Sequence, residues 1–165
     1  MKVEDAIRQR RSIRRYSGKK IKDSDIMDIL RSGLWAPSGL NNQPWKFLVV
    51  KEKNRLEKIA EFTRYGKVVK DAAAIICVFL DNGSIYNREK DLMSIGDCIQ
   101  NILLKSYELK IGSCWLGEII NRKDEIHEFL KTGPDNELMA VVALGYSDGK
   151  IPKGRRKGIN SFMLE

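Results

Sequence analysis

A chain of 165 residues with a formal net charge of +8 has the length of one domain, able to bury roughly 70% of its unfolded surface in a proper core. With 42% hydrophobic and 32% charged residues it is too apolar for a disordered chain and too mixed for a fibrous one. Its longest apolar run, Ala72 to Leu80, is under half of the roughly 20 residues that a membrane-crossing helix needs.

The early charges of Met1-Lys2-Val3-Glu4-Asp5 leave no apolar stretch for a secretory signal, so a cytoplasmic location is expected. Cys77, Cys98 and Cys114 are odd in number and widely spaced, which argues for buried free thiols over a disulfide framework or a metal pair. The cationic excess suits nucleic acid, an anionic membrane or a phosphorylated ligand. It is densest over Arg8 to Arg15, Lys19 to Lys22 and Lys150 to Lys157; if the two ends of the chain meet, these form one anion site instead of a long stripe.

In chain order, Val3, Ala6, Ile7 and Arg10 follow helical spacing, and Ile26, Ile29, Leu30, Gly33 and Leu34 do so after a possible cap at Asp23 or Ser24. Ala36-Pro37-Ser38-Gly39 ends this second helix and opens a loop that runs to Pro44. Phe47 to Val50 is predicted as a strand, Leu56, Ile59 and Ala60 mark a short helix, and Ala74 to Leu80 is a second strand. Leu92, Ile95, Ile99, Ile102, Ser106 and Leu109 trace one helical stripe that Met93, Cys98, Leu103 and Leu104 widen, as for a helix at the centre of the fold or of a dimer. Ser113 to Ile120 reads as a strand and turn, Ile126, Phe129 and Leu130 as a surface helix, and Leu138 to Tyr146 as a last strand. The order predicts a single α+β domain over 1–165, helices layered on a sheet of about four strands, with a basic tail from about 150.

His127 is the one histidine and lies among Glu125 and Glu128, which removes histidine triads and histidine metal sites; no metal is expected. Neither GxGxxG nor GxxxxGK[ST] occurs, so a nucleotide must be held by other means. Three segments remain. In Arg10-Arg11-Ser12-Ile13-Arg14-Arg15-Tyr16, an extended chain would put Arg10, Ser12 and Arg14 on one side, two guanidinium forks and a hydroxyl suited to phosphate; a solvated basic stretch is the alternative. Ala36 to Trp45 crowds amides and hydroxyls into a rigid loop, suited to the edge of a flavin or a base or to capping itself. Gly112-Ser113-Cys114-Trp115-Leu116-Gly117-Glu118 allows close backbone approach beside an aromatic ring, or packs Trp115 into the core.

Taken together, Arg10 to Arg14, then Ala36-Pro37-Ser38 with Asn41, Gln43, Pro44 and Trp45, then Gly112 to Gly117, and Arg155 and Arg156 in the tail resemble the nitroreductase-like family of FMN-dependent oxidoreductases over nearly the whole chain. The resemblance implies an α+β sandwich whose mixed, mainly antiparallel sheet is flanked by helices. It also implies an intertwined homodimer that packs through the long helix and exchanges its tails, with FMN at the interface. Arg10 and Ser12, with Arg156 and Lys153 or Arg155, would meet the phosphate, and Arg11 would belong to the same cofactor site. Arg14 would lie near the flavin N1, and Pro37, Ser38, Asn41 and Gln43 would come from the neighbouring subunit. Leu116, Gly117 and Glu118 would pass the ring, with a backbone N–H toward N5. No side chain is required as acid or base, because the hydride chemistry is the cofactor's. The implied activity is electron transfer from NADH or NADPH to a small acceptor such as a nitroaromatic or quinone, in a ping-pong cycle. Rival readings are a flavoprotein of this fold with another electron donor or a flavin-modifying role, and a basic nucleic-acid module, which the scarcity of aromatics among the cations disfavours.

Overall fold

The computed structural model describes residues 2–151 and 153–164. Strand β2, Ala74–Asp81, is the apolar run of the sequence, and every residue from Ala74 to Leu80 is buried. It is buried on both faces because it lies between two strands of a sheet that helices cover on each side. The sheet order is β1-β2-β4-β3, with β1 at Trp45–Val50, β3 at Gly112–Leu116 and β4 at Asn136–Gly145, and all three pairings are antiparallel. The sheet is thus less mixed than expected; the one parallel element is an isolated bridge from Ser12 to Ser113.

Alternate strand residues feed two cores, as the period of two requires. Ile75, Cys77, Phe79, Val141 and Ala143 pack with Leu56 and Ile59 of α3 (Lys53–Ala60), Val68 and Val69 of α4 (Gly66–Asp71), and Ile126 and Leu130 of α6 (Lys123–Leu130). Ile76, Val78, Leu80, Val142 and Leu144 pack with Ile26 and Ile29 of α2 (Asp23–Gly33) and Ile95, Ile99 and Ile102 of α5 (Arg88–Glu108). The parity slips once, at an irregularity opposite Val78 and Phe79, so Leu138 and Val141 share a face although three positions apart. A bulge inserts one residue in this way.

Two expectations need correction. Helix α4 was not predicted: its single apolar pair, Val68 and Val69, lies between Lys67 and Lys70 and shows no period. It can form because Gly66 starts it, where a β-carbon would stand 2.5 Å from the Ala60 carbonyl oxygen. The N-cap of α2 is Lys22, with no side-chain capping bond, and not Asp23 or Ser24. Helix α5 is only half enclosed within one chain. Met93 is 70% exposed, and the space where Gly96 would carry a β-carbon is open; Trp35, which follows α2, is 87% exposed.

After α1 (Val3–Gln9) the arginine segment is laid along the free edge of β3. Ile13 N donates to Ser113 O at 2.9 Å, Ser17 N to Tyr146 O at 2.9 Å and Asp148 N to Arg15 O at 3.1 Å. Ile13 and Tyr16 are buried, and the Tyr16 hydroxyl, 2.8 Å from Ile13 O and 3.2 Å from Ala143 O, ties the segment to the sheet. Burial raises the Tyr16 pKa, so the hydroxyl stays a donor. Tyr16→Phe should lower stability by about 1 kcal/mol, the usual net worth of such a bond. A urea midpoint shifted down with an unchanged slope would show it; an unmoved midpoint would mean that Ile13 alone anchors the segment.

Glu137, with Arg88 Nη1 at 2.9 Å and Lys123 Nζ at 2.7 Å, is held below the usual carboxylate range by Arg88 and then Lys123. Its contribution is therefore complete above the ordinary carboxylate pKa of about 4.3 and lost as the pH falls through the lower folded value. Circular dichroism down to pH about 2 should show a stability loss confined to the acid side, and Glu137→Gln should make that loss shallower.

Candidate functional site

The segment from Arg10 to Arg15 carries its cations to the β3 edge without acidic partners among the described residues. Among the described residues no carboxylate lies within 4.0 Å of Arg10, Arg11, Arg14, Arg15, Arg155 or Arg156, although ion pairs are formed all over the rest of the surface. Arg10 is half buried, its Nε is buried with no hydrogen-bond partner, and the same holds for Arg11 Nε. Burial, then the neighbouring Arg156 and Arg11, push the Arg10 pKa down. Like charges held together in this way are costly unless an anion joins them, and guanidinium forks suit phosphate oxygens.

The strict alternation expected for this segment is replaced by a spacing of three between the buried Ile13 and Tyr16. Arg10 and Ser12 nonetheless share surroundings with β3. The Cys114 thiol is raised by burial and eased back by the Arg14 guanidinium, the Ser12 hydroxyl and then Arg10. Arg11 is used differently. Its Nη1 donates to Arg8 O and Arg10 O, each at 2.7 Å, closing the end of α1. Its guanidinium is also pressed against the tail, where a β-carbon on Gly154 would lie 2.2 Å from Nη2. The tail is exposed from Lys153 onward, yet it brings Arg156 to Arg10, so the two basic ends of the chain do converge.

At the far end of β3, Leu116 is buried and Gly117 begins a short 3-10 turn, Glu118–Arg122. The Gly117 and Glu118 amides have no backbone carbonyl partner among the described residues. The Glu118 carboxylate is occupied: it accepts from Thr63 Oγ1 at 2.7 Å and from Arg64 N and Nε at 3.3 Å each. Glu118 can therefore offer a ligand its amide but not its acid. Trp115 is 45% exposed and leans over Gly117, where a β-carbon would meet the indole Nε1 at 3.4 Å, so the packing of Trp115 into the core is not what this segment does.

The loop with Pro37, Ser38, Asn41 and Gln43 lies elsewhere. It leads into Trp45, which pairs with Leu80 and through it with Glu137, whereas Ser113 pairs with Leu144. Trp45 and Ser113 thus stand at opposite corners of the sheet, about 14 Å apart across three strand spacings and roughly 23 Å along the strands. Pro37, Asn41 and Gln43 are exposed and Ser38 partly so. One chain does not unite this loop with Arg10.

The Nitroreductase family model matches residues 7–76 and 63–146. This chain belongs to the nitroreductase family. A relative from Archaeoglobus fulgidus, provisionally named an NADH dehydrogenase/NAD(P)H nitroreductase, is 38% identical over 140 residues, covering 83% of this chain and 80% of that one. A crystal structure from Desulfovibrio desulfuricans, of a provisionally assigned nitroreductase in complex with FMN, superposes with a TM-score of 0.96 at 41% identity over 100% of this chain and 96% of that one. The NADPH:FMN oxidoreductase of Vibrio harveyi, complexed with NAD+, shares the fold with a TM-score of 0.89 at 21% identity, over 98% of this chain and 76% of that one. Among the described residues of this nitroreductase no helix is long and apolar enough to cross a membrane, and no cluster of three or more metal-ligating side chains occurs.

All three cysteines are buried, and burial pushes the Cys77 and Cys98 thiols up to about 12. None should react with Ellman's reagent in the native protein, and all should react once it is unfolded. Rapid labelling of Cys114 alone would mean that the arginine segment lifts off β3.

Proposed function

We propose that this nitroreductase binds FMN between Arg10–Arg14 and β3 and passes electrons from NADH or NADPH to a small acceptor such as a nitroaromatic or quinone. The observation that carries the reading is the crowd of guanidinium groups with buried, unpartnered Nε atoms and no carboxylate beside them. A singly phosphorylated cofactor supplies the missing acceptors. When bound, FMN supplies the hydride chemistry, and the protein supplies position and charge.

Arg10 and Ser12 hold the phosphate, joined by Arg156 with Lys153 or Arg155 from the tail. Arg11 closes α1 behind them and steadies the tail. Arg14, solvent-exposed at the same edge, adds positive charge for a ring that becomes negative on reduction. The free amides at Gly117 and Glu118 serve as donors, with buried Leu116 fixing their height on β3. Pro37, Ser38, Asn41 and Gln43 complete the site from a second copy of the chain. The diagonal separation of this loop from Ser113, the exposed Trp35 and Met93, and the open space at Gly96 support such a homodimer, with the 150–165 extension reaching the partner subunit.

Freshly purified protein should be yellow and dimeric in sedimentation, and anaerobic NADH or NADPH should bleach it in stopped flow. Bleaching by neither would leave the FMN site standing and remove the nicotinamide donor. Arg10→Ala should weaken FMN binding by about 1.5 to 3 kcal/mol, the range for a charged hydrogen bond; undiminished affinity would place the phosphate elsewhere. Arg14→Ala should chiefly lower the flavin midpoint potential, read by dye equilibration, and an unchanged potential would remove Arg14 from the ring.

A further inference from the structure

Asp91 is fully buried, and none of the roles assigned above uses it. It sits in the first turns of α5 with its carboxylate turned back: Oδ2 accepts from Tyr86 N at 2.9 Å and Asn87 N at 3.0 Å. Oδ1 accepts from the side chain of Asn42, whose Nδ2 lies at 2.8 Å and also donates to Ser84 O at 2.9 Å. Asn42 is the inward-facing residue of the loop that carries Ser38, Asn41 and Gln43.

That loop is strained. Leu40, Asn41 and Gln43 have φ of 52°, 57° and 49°, a left-handed region that side chains other than glycine's rarely adopt and that persists only where the surroundings impose it. Its internal bonds are the turn bonds Asn41 N to Ser38 O at 3.1 Å and Asn42 N to Gly39 O at 3.0 Å, with the solvent-exposed Gln43 N to Ser38 Oγ at 3.0 Å and Gln43 Nε2 to Asn41 O at 3.2 Å; they close the turn but do not fix it to the rest of the fold. Besides the Asn42–Ser84 bond, two contacts tie it to the segment that leads into α5. One is the Asn42–Asp91 bond; the other is the Tyr86 ring, packed so closely on Gly39 that a β-carbon there would stand 2.6 Å from it. Asp91 governs both, since it also holds the Tyr86 amide.

We infer that Asp91 is a positioning residue: acting through Asn42, it holds the strained Ser38–Gln43 loop in the conformation in which it meets FMN. The inference rests on the reading of that loop as part of the flavin site. Burial would raise the Asp91 pKa, yet the bonds from Asn42, Asn87 and Tyr86 keep it below the ordinary range, so the carboxylate remains an acceptor for all three donors. A helix cap alone would not need the third bond, and Asn87 already caps α5 by accepting from Lys90 N at 3.1 Å.

Asn42→Ala severs the loop tie and leaves the amide bonds of Asp91 in place; Asp91→Asn weakens both. The measurements are amide hydrogen exchange by NMR on the flavin-free full chain and FMN titration by fluorescence quenching. Both variants should speed exchange at Asn41, Asn42 and Gln43 about tenfold or more while the β2 and β4 amides keep their protection, and both should raise the FMN Kd by about tenfold. The double variant should lose little more than either single one, because the two residues form one interaction. A silent Asn42→Ala, with Asp91→Asn fraying only the first turn of α5, would overturn the inference and leave Asp91 a helix cap. If the wild-type chain takes up no FMN, the flavin reading has failed and the inference that depends on it falls too, while the exchange experiment still shows whether Asp91 holds the loop.

Discussion

Like charges held together without a counterion are the constraint from which the rest of this structure follows. Arg10, Arg11 and Arg156 repel one another, and the half-buried position of Arg10 adds a desolvation cost. What holds them is apolar and neutral: Ile13 and Tyr16 sunk beside β3, and the carbonyl of Ser113 accepting from Ile13. The folded chain thus invests part of its marginal stability in a poised cationic edge. A dianion arriving there recovers it as binding energy.

The second constraint is geometric. The strand order β1-β2-β4-β3 sends the chain from one edge of the sheet to the other and puts the amide-rich loop and the arginine segment at opposite corners. Within one chain the two segments stay apart, and the outward side of α5 with Trp35 is left exposed.

Much of this was legible in the residues. The arginine segment, the Pro37–Gln43 loop and the Gly112–Glu118 strand were visible because each combines residue types that a plain surface or core does not need, and the strands and α5 because their apolar periods are long. Other features depend on contacts that no local pattern encodes. Helix α4 exists because Gly66 clears Ala60, and the parity change in β4 because Leu138 must face Phe79. The occupied carboxylate of Glu118 answers to Thr63, far away in sequence. Nothing in the local sequence marks Asp91 or Asn42; only their mutual bond distinguishes them. Arg11 read as a cofactor-binding residue, and its engagement with the carbonyls of Arg8 and Arg10 is a matter of rotamer.

The docking of Tyr16 against Ser147 joins two segments that lie far apart in the sequence. The arginines are made well before Ser113 and Ser147, beside which they dock, so a growing chain on the ribosome carries these cations loose in solvent until β3 and the turn at Ser147 have been made. The cationic edge is consequently a late product of folding. An anion that binds there cannot act as a template for the early chain; it can only trap the finished one, by mass action on the native state.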